Sequence, residues 1–285
     1  MKTFILTFSL SFVFCSTSYS QNEINEILVF KASGEKPQPV NFTRRFITFG
    51  VGYELGLPTG SMTTGMNPIH SISLNSSLPL SFISPNLQMG IDFTYGLYGS
   101  KSFAINYRQG GNYINTTVNY NSDVAQIGMF ANYLFNSKGK FQPYVLTKLG
   151  YLEMTSSFSV LDPKDPDACR VLENETIAGD GTLYLGYGFG IRLNVGTNTS
   201  NKRNFIDFSI SQTRGNTIDY VNVNHLHDHN APTQLSPDAK PINITFINAG
   251  TQNIHQHRIA ELHSNPLNIL QFKISYVAYL RSKRR

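Results

Sequence analysis

The sequence predicts an all-β protein built as a closed, up-and-down antiparallel β-barrel of eight strands. Apolar and polar residues alternate over eight segments, which is the period of strands whose two faces meet different surroundings. The connections between these segments alternate between short and long. Beyond the N-terminal region, no segment has the roughly 20 apolar residues of a membrane helix, and long amphipathic helix patterns are missing.

The first three strands are predicted at 47–57, 72–82 and 87–97. Their apolar faces consist of Ile47, Phe49, Val51, Tyr53, Leu55 and Leu57, then Ile72, Leu74, Leu78, Leu80 and Phe82, then Leu87, Met89, Ile91, Phe93, Tyr95 and Leu97. The opposite faces hold Thr48, Gly50, Gly52, Glu54 and Gly56, then Ser73, Asn75, Ser77 and Ser81, then Gln88, Gly90, Asp92, Thr94 and Gly96.

The next three strands are predicted at 125–135, 141–151 and 182–195, although Phe130 and Leu134 interrupt the alternation of the fourth. Their apolar faces are Ile127, Met129, Ala131, Tyr133 and Phe135, then Val145, Leu149 and Tyr151, then Leu183, Leu185, Tyr187, Phe189, Ile191, Leu193 and Val195. Their polar faces include Gln126, Gly128 and Asn132, then Tyr144, Lys148 and Gly150, then Thr182, Gly186, Gly188, Gly190, Arg192 and Asn194.

The last two strands are predicted at 206–211 and 270–280. In the seventh, Ile206, Phe208 and Ile210 oppose Asp207, Ser209 and Ser211. In the eighth, the apolar positions Leu270, Phe272, Ile274, Tyr276 and Leu280 oppose Gln271, Lys273 and Ser275.

The composition of the polar faces indicates which side of the barrel is outside. They are rich in Gly and Ser and carry about one charge per strand, as suits a narrow lumen, whereas a solvated face would hold many Lys and Glu. We therefore expect the apolar faces to meet lipid. The inward charges are predicted to form a lumen network because buried charges are costly unless paired: Glu54, Asp92 and Asp207 against Lys148, Arg192 and Lys273.

The lengths of the connections predict an orientation. Residues 83–86, 136–140 and 196–203 are short turns, and 58–71, 98–124, 157–181 and 215–267 are long. Bacterial outer-membrane barrels have short periplasmic turns and long external loops. Within the long loops, 102–107 is expected to pair with 112–120, and 220–224 with 242–247. If the first of these hairpins crosses the membrane, the barrel has ten strands.

The N-terminal region predicts export. Lys2 precedes the apolar stretch 4–14, which is too short to span a bilayer, and Ser18-Tyr19-Ser20 offers a small-x-small cleavage site before Gln21. The predicted domains are a signal peptide (1–20), a periplasmic segment (21–43) and the barrel (44–285). Cys15 would leave with the signal peptide, so Cys169 would have no partner for a disulfide.

Composition argues against several function classes. There is no dinucleotide or phosphate-loop motif, and we expect no cofactor. The formal charge of +5 is modest, and part of it lies in 281–285, so it gives no evidence for nucleic-acid binding. We expect no enzymatic activity.

Residues 44–280 resemble the small outer-membrane β-barrel proteins typified by the OmpA barrel domain and OmpX. The resemblance is carried by the rhythm of strands and turns, by Phe141-Gln142-Pro143-Tyr144-Val145 opening a strand, and by Gly186-Tyr187-Gly188-Phe189-Gly190. Residues 273–280 are similar to the assembly signal of such barrels, with Ser275 where Gly is usual. The resemblance implies a Gram-negative outer-membrane location and, as partners, membrane lipids, lipopolysaccharide and the barrel assembly machinery.

The function expected is that of a structural or surface-binding barrel with a filled lumen, whose external ligand the sequence does not name. Two alternatives remain open. Six histidines lie in the last loop, and His-x-His spacing places imidazoles on one strand face, so a metal site is a candidate function; its predicted ligands are His225, His227, His229, His255 and His257, with Asp228 and His263 nearby. A lipid-modifying enzyme would need His with Ser or Glu near the outer rim, where His70, Ser71 and Glu153 are candidates.

Overall fold

The computed structural model describes residues 46–109, 112–136, 139–164, 171–195, 204–228, 239–247 and 254–281, all within one unit, Thr43–Arg285. The predicted signal peptide (1–20) and periplasmic segment (21–43) lie outside the described residues, as do Cys15 and Cys169. Among the residues that are described, no helix has the length and apolar character needed to cross a membrane.

Eight strands close into a ring. The strands of the described ranges are β1 (Phe46–Pro58), β2 (Ile69–Pro79), β3 (Leu87–Gln109), β4 (Asn112–Leu134), β5 (Phe141–Leu161), β6 (Val171–Asn194), β7 (Asn204–Val221), β8 (His227–Asp228), β9 (Lys240–Ile247) and β10 (Ile254–Arg281). β1 to β7 pair antiparallel in chain order, β7 pairs with β10, and β10 closes the ring on β1. The predicted eight-stranded barrel is confirmed.

The ten-strand alternative is wrong. Residues 102–107 do pair with 112–120, as predicted, but they lengthen β3 and β4 in one ladder that continues to the Gln109–Asn112 pair. The pairing predicted between 220–224 and 242–247 is also wrong. β9 pairs with β10 instead, and Tyr220 lies opposite His263. β1 ends at Pro58, so the first half of the long β10 has no β1 partner on that edge, and β9 pairs there instead.

The predicted faces are confirmed within the ring strands. The predicted second strand is too long: β2 ends at Pro79, so Leu80, Ser81 and Phe82 lie in the turn that follows, and Ser81 is exposed instead of facing the lumen. Outward Ile91 and Phe189 are 56% and 60% exposed, whereas inward Asp92 is 3% exposed. Leu134, which interrupts the alternation, is buried with Tyr144 and Leu146 inside the barrel. They lie at the end that carries the connections β2–β3, β4–β5 and β6–β7, called here the turn end; the opposite end is called the extended end.

The outer surface has the composition of a lipid-facing wall. Soluble monomers rarely expose apolar patches beyond a few hundred Å², yet here the outward apolar residues of neighbouring ring strands are exposed together. Tyrosines border this surface at the extended end, where the Tyr53 hydroxyl lies 2.6 Å from His70 Nδ1 and Tyr95 donates to Asp123 at 2.9 Å. Exposed Tyr133 lies towards the turn end. Such aromatic girdles mark the two interfaces of membrane barrels.

At the extended end the ring divides into two sheets. Pairing between β6 and β7 ends at Tyr184–Gly215, while β3 to β6 continue as one sheet and β7, β10, β9 and β8 as another. Between the sheets lies an apolar core that consists of Val118, Tyr120, Phe158, Val160, Val221, Val223, Leu226, Ile244 and Ala260. The long connections predicted as loops are therefore largely strand with a core of their own. The parts of β3 to β10 that extend beyond the eight-stranded ring are called here the external domain because they lie outside the ring.

Candidate functional site

A layer of buried charges lies inside the ring, as the inward faces predicted. The Lys148 ammonium lies 4.0 Å from a Glu54 carboxylate oxygen and 3.9 Å from an Asp92 carboxylate oxygen, and all three side chains are almost fully buried. Lys273 lies directly opposite Glu54 in the β1–β10 ladder. Two acids and two bases from four strands thus share one level of the lumen, where pairing offsets their loss of water.

The second part of this layer is a tighter pair. Arg192 Nε donates to Asp207 Oδ2 at 3.0 Å, and Arg192 Nη1 donates to Gln88 Oε1 at 2.9 Å. The Tyr144 hydroxyl donates to the other Asp207 oxygen at 2.5 Å. The guanidinium also lies over the ring of Tyr144, 5.6 Å from its centroid. Each carboxylate oxygen of Asp207 therefore has a donor, and Arg192 is held by charge, hydrogen bonds and aromatic contact together.

Little space remains among the side chains of this layer. The cavity that Asp92, Lys148, Arg192, Asp207 and Lys273 line has a volume of about 40 Å³, which is room for a few water molecules. All six predicted network residues lie at this level of the barrel. The arrangement fills the lumen and holds the strands in register.

Apolar layers lie on both sides of the charges. On the turn side, Leu134, Tyr144 and Leu146 are buried together. On the extended side lies a larger cluster: Met62, Met66, Ile69, Tyr98, Val124, Leu152, Met154, Tyr184, Ile218, Tyr220, Leu267 and Ile269. Met62 comes from the 3-10 helix Gly60–Thr64, which fills the lumen from the β1–β2 connection. Gly128 makes room for Tyr184, because a Cβ there would collide with the tyrosine hydroxyl.

The structure describes the side chains of two histidines of the last loop, His225 and His263, and places them in one group with an acid. The ligand atoms of His225, Glu261 and His263 lie within 4.8 Å of one another. His225 is the predicted ligand whose side chain is described, and it belongs to this group. The side chains of His227, His255 and His257 and the whole of His229 lie outside the described residues. Sequence reasoning missed Glu261, although Glu261-Leu262-His263 has the spacing that places two side chains on one strand face.

The residues considered for lipid chemistry do not form a catalytic group. His70 contacts Tyr53 on the outer face, whereas the neighbouring Ser71 is 4% exposed and points into the lumen. Glu153 is exposed on β5, which β3 and β4 separate from β2. Because adjacent residues of a strand point to opposite faces, His70 and Ser71 cannot act on one substrate.

Comparisons with known proteins give structural neighbours at low identity. No protein-family model matches the chain, and no curated protein matches it. The Neisserial surface protein A structure is 11% identical with a TM-score of 0.36 and covers 81% of this chain and 96% of its own. Ail of Yersinia pestis is 7% identical, with a TM-score of 0.36 and coverage of 83% and 98%.

A third solved structure is a major outer-membrane protein of Thermus thermophilus, which is 10% identical with a TM-score of 0.40 and covers 82% of this chain and 99% of its own. A closed antiparallel ring of eight strands, a lumen occupied by side chains and an apolar outer wall make this chain a transmembrane β-barrel of the outer-membrane type.

Proposed function

We propose that this chain is a non-conducting, non-enzymatic integral outer-membrane protein that presents the external domain as a binding surface. The main support is that the two halves of the long strands have different surroundings. Their turn-end halves expose apolar side chains around a filled lumen, and their extended halves form two sheets with a core of their own.

The filled lumen supports a structural rather than a transport role. An eight-stranded barrel is just wide enough to be filled by side chains, and here the charged layer lies between two apolar ones. A hydrophilic solute would have to displace buried pairs and aromatic side chains to pass. We therefore assign contact with the outside to the external domain, and contact with lipid and lipopolysaccharide to the apolar wall.

Assembly in the membrane tests the first half of the proposal. Membranes carrying the protein are extracted with alkaline carbonate, and boiled and unboiled samples are compared by gel mobility. We expect retention in the membrane and different mobilities, because a closed barrel resists detergent unfolding until it is heated. Extraction by carbonate together with equal mobilities would contradict membrane insertion.

Permeation tests the second half. Vesicles that contain the refolded protein are placed in a sugar solution and their swelling is followed, with an open porin as the positive control. We expect swelling no faster than in vesicles without protein. Swelling at rates close to those of the porin would show that the lumen opens and would refute the non-conducting role.

Surface presentation is tested on intact cells. Protease added outside should cut the connections of the external domain, for example near 110–111 or 165–170, and leave the ring protected. Cleavage only after the periplasm is opened would reverse the assigned orientation.

A further inference from the structure

We propose that His225, Glu261 and His263 form a binding site for a divalent transition-metal ion of the zinc class, which fixes the turn between β7 and β8 to β10 beside the boundary between the two sheets. The proposal is separate from the role of the barrel. It rests on the chemistry of three side chains and on how their neighbours hold them.

The donor set suits such an ion. Two imidazoles and one carboxylate are the ligands of many zinc sites and of other transition-metal sites that keep open positions. Metal–ligand bonds of about 2.0–2.2 Å place neighbouring ligand atoms of a tetrahedron roughly 3.3–3.6 Å apart. His263 Nε2 and Glu261 Oε2 lie 3.4 Å apart, so these two already have the separation of ligands on one ion.

His225 completes the group. Its ring lies 6.4 Å from the ring of His263 at 73°, and all three ligand atoms lie within 4.8 Å of one another. His225 is half-buried on the short 3-10 helix Val223–His225. Three protein ligands leave a fourth position for water or for an external ligand.

Two of the three candidate ligands are shielded from water. Glu261 and His263 are 3% and 1% exposed. A divalent ion between the three side chains would accept electron pairs from the carboxylate and from both imidazoles at once.

The neighbours of His263 fix its ring. The Tyr220 ring stacks on it with centroids 5.4 Å apart and planes 20° apart, and Asn265 donates to the Tyr220 hydroxyl at 3.1 Å. Gly65 also lies close to this ring, because a Cβ there would lie 2.6 Å from the imidazole. Ligands held in this way by a supporting shell are typical of built metal sites.

The turn that carries His225 is tied to the opposite sheet. The Val223 amide donates to Ser122 of β4 at 3.2 Å, and the Lys101 ammonium of β3 donates to the Asn224 and Leu226 carbonyls at 3.4 Å. Glu261 and His263 belong to β10 of the second sheet. An ion bound here would fix this turn to β10. Through the hydrogen bonds of the turn to β3 and β4 it would also link the two sheets indirectly, at a level where β6 and β7 no longer pair.

Calorimetric titration of the chelator-stripped full mature protein, refolded in lipid, tests the site with Zn²⁺ as the probe. We expect saturable binding of one equivalent, weakened at least about tenfold by His225→Ala, His263→Ala or Glu261→Gln. His70→Ala, outside the cluster, should bind like wild type. Because His263 is buried, heat-modifiability must first show that the His263→Ala variant folds. If that variant does not fold, the titration of the His225→Ala variant tests the proposal, because His225 is only half-buried.

A second measurement follows the sheets themselves. Zn²⁺ should slow proteolysis of the external domain in wild type and not in His225→Ala, since a ligand of the native state stabilises it. Absence of saturable Zn²⁺ binding in wild type would overturn the proposal. So would binding that survives His225→Ala but is lost in the double variant His227→Ala and His257→Ala, because that result would place the ion in the loop instead.

Discussion

Replacing Arg192 by Leu tests whether the charged layer holds the barrel together. The change removes the cation 3.0 Å from Asp207 and the donor 2.9 Å from Gln88. Asp207 keeps its hydrogen bond from the Tyr144 hydroxyl. The decrease in unfolding free energy caused by the broken ion pair should therefore fall near the lower end of the roughly 3–5 kcal/mol typical of broken buried pairs. An unsatisfied Gln88 carbonyl adds about 1 kcal/mol, and the leucine recovers part of this by packing on Tyr144. We expect a net loss of about 3–4 kcal/mol.

The assay is urea unfolding in lipid vesicles, followed by far-ultraviolet circular dichroism because the chain contains no Trp. Lys140→Leu is the control. Its side chain is exposed at the turn end, where a surface substitution should change the unfolding free energy by no more than about 0.5 kcal/mol. A double-mutant cycle of Arg192→Leu with Asp207→Asn should give coupling of roughly 2–3 kcal/mol, and one with Asp92→Asn should give clearly less. A loss below about 1 kcal/mol in the single variant, with no coupling to Asp207, would refute the reasoning.

Four further changes test other parts of the structure. Phe189→Arg, in the middle of the outer wall, should cost about 2–4 kcal/mol and Phe141→Arg at the rim about 0–1; equal refolding yields in vesicles would contradict the register. Lys148→Met should lower urea stability at least as much as Arg192→Leu, since two carboxylates lose their nearest cation, and a neutral result would argue against the network. Gly65→Ala should weaken Zn²⁺ binding without removing a ligand, by displacing the imidazole of His263; unchanged calorimetry would remove the role given to this close contact. Tyr120→Ala should cost about 3–5 kcal/mol in the external core and speed proteolysis there while leaving heat-modifiability intact; loss of both together would mean that domain and ring fold as one unit.

The ring was predictable because lipid and lumen impose period two on each strand. Leu134 departs from the alternation because it is an apolar residue on the inner, mostly polar face. The structure explains this departure, since Leu134 packs against Tyr144 and Leu146 at the turn end. The pairing of Arg192 with Asp207 was not predictable, since both lie on inward faces but their opposition depends on the register across a turn. A shift of two residues would have kept both side chains inside the barrel but placed Arg192 opposite Phe205 or Ser209.

The candidate metal site could not be predicted from sequence for a different reason. A His-x-His pattern reveals ligands that are close in sequence, whereas the group found here joins His225 to residues far along the chain. What brings them together is the β7–β10 ladder, in which Tyr220 lies opposite His263. Glu261 went unnoticed because a lone acid in a polar stretch carries no signal of its burial.

The continuity of the long strands has a consequence for how this protein can diverge among relatives. External loops of barrels usually tolerate insertions and deletions freely. Here Val118 and Tyr120 point into a core, so one inserted residue beside them would turn the following side chains to the wrong face. Changes of length should therefore be confined to the connections between the extended strands, and substitutions along those strands should accumulate at every second residue.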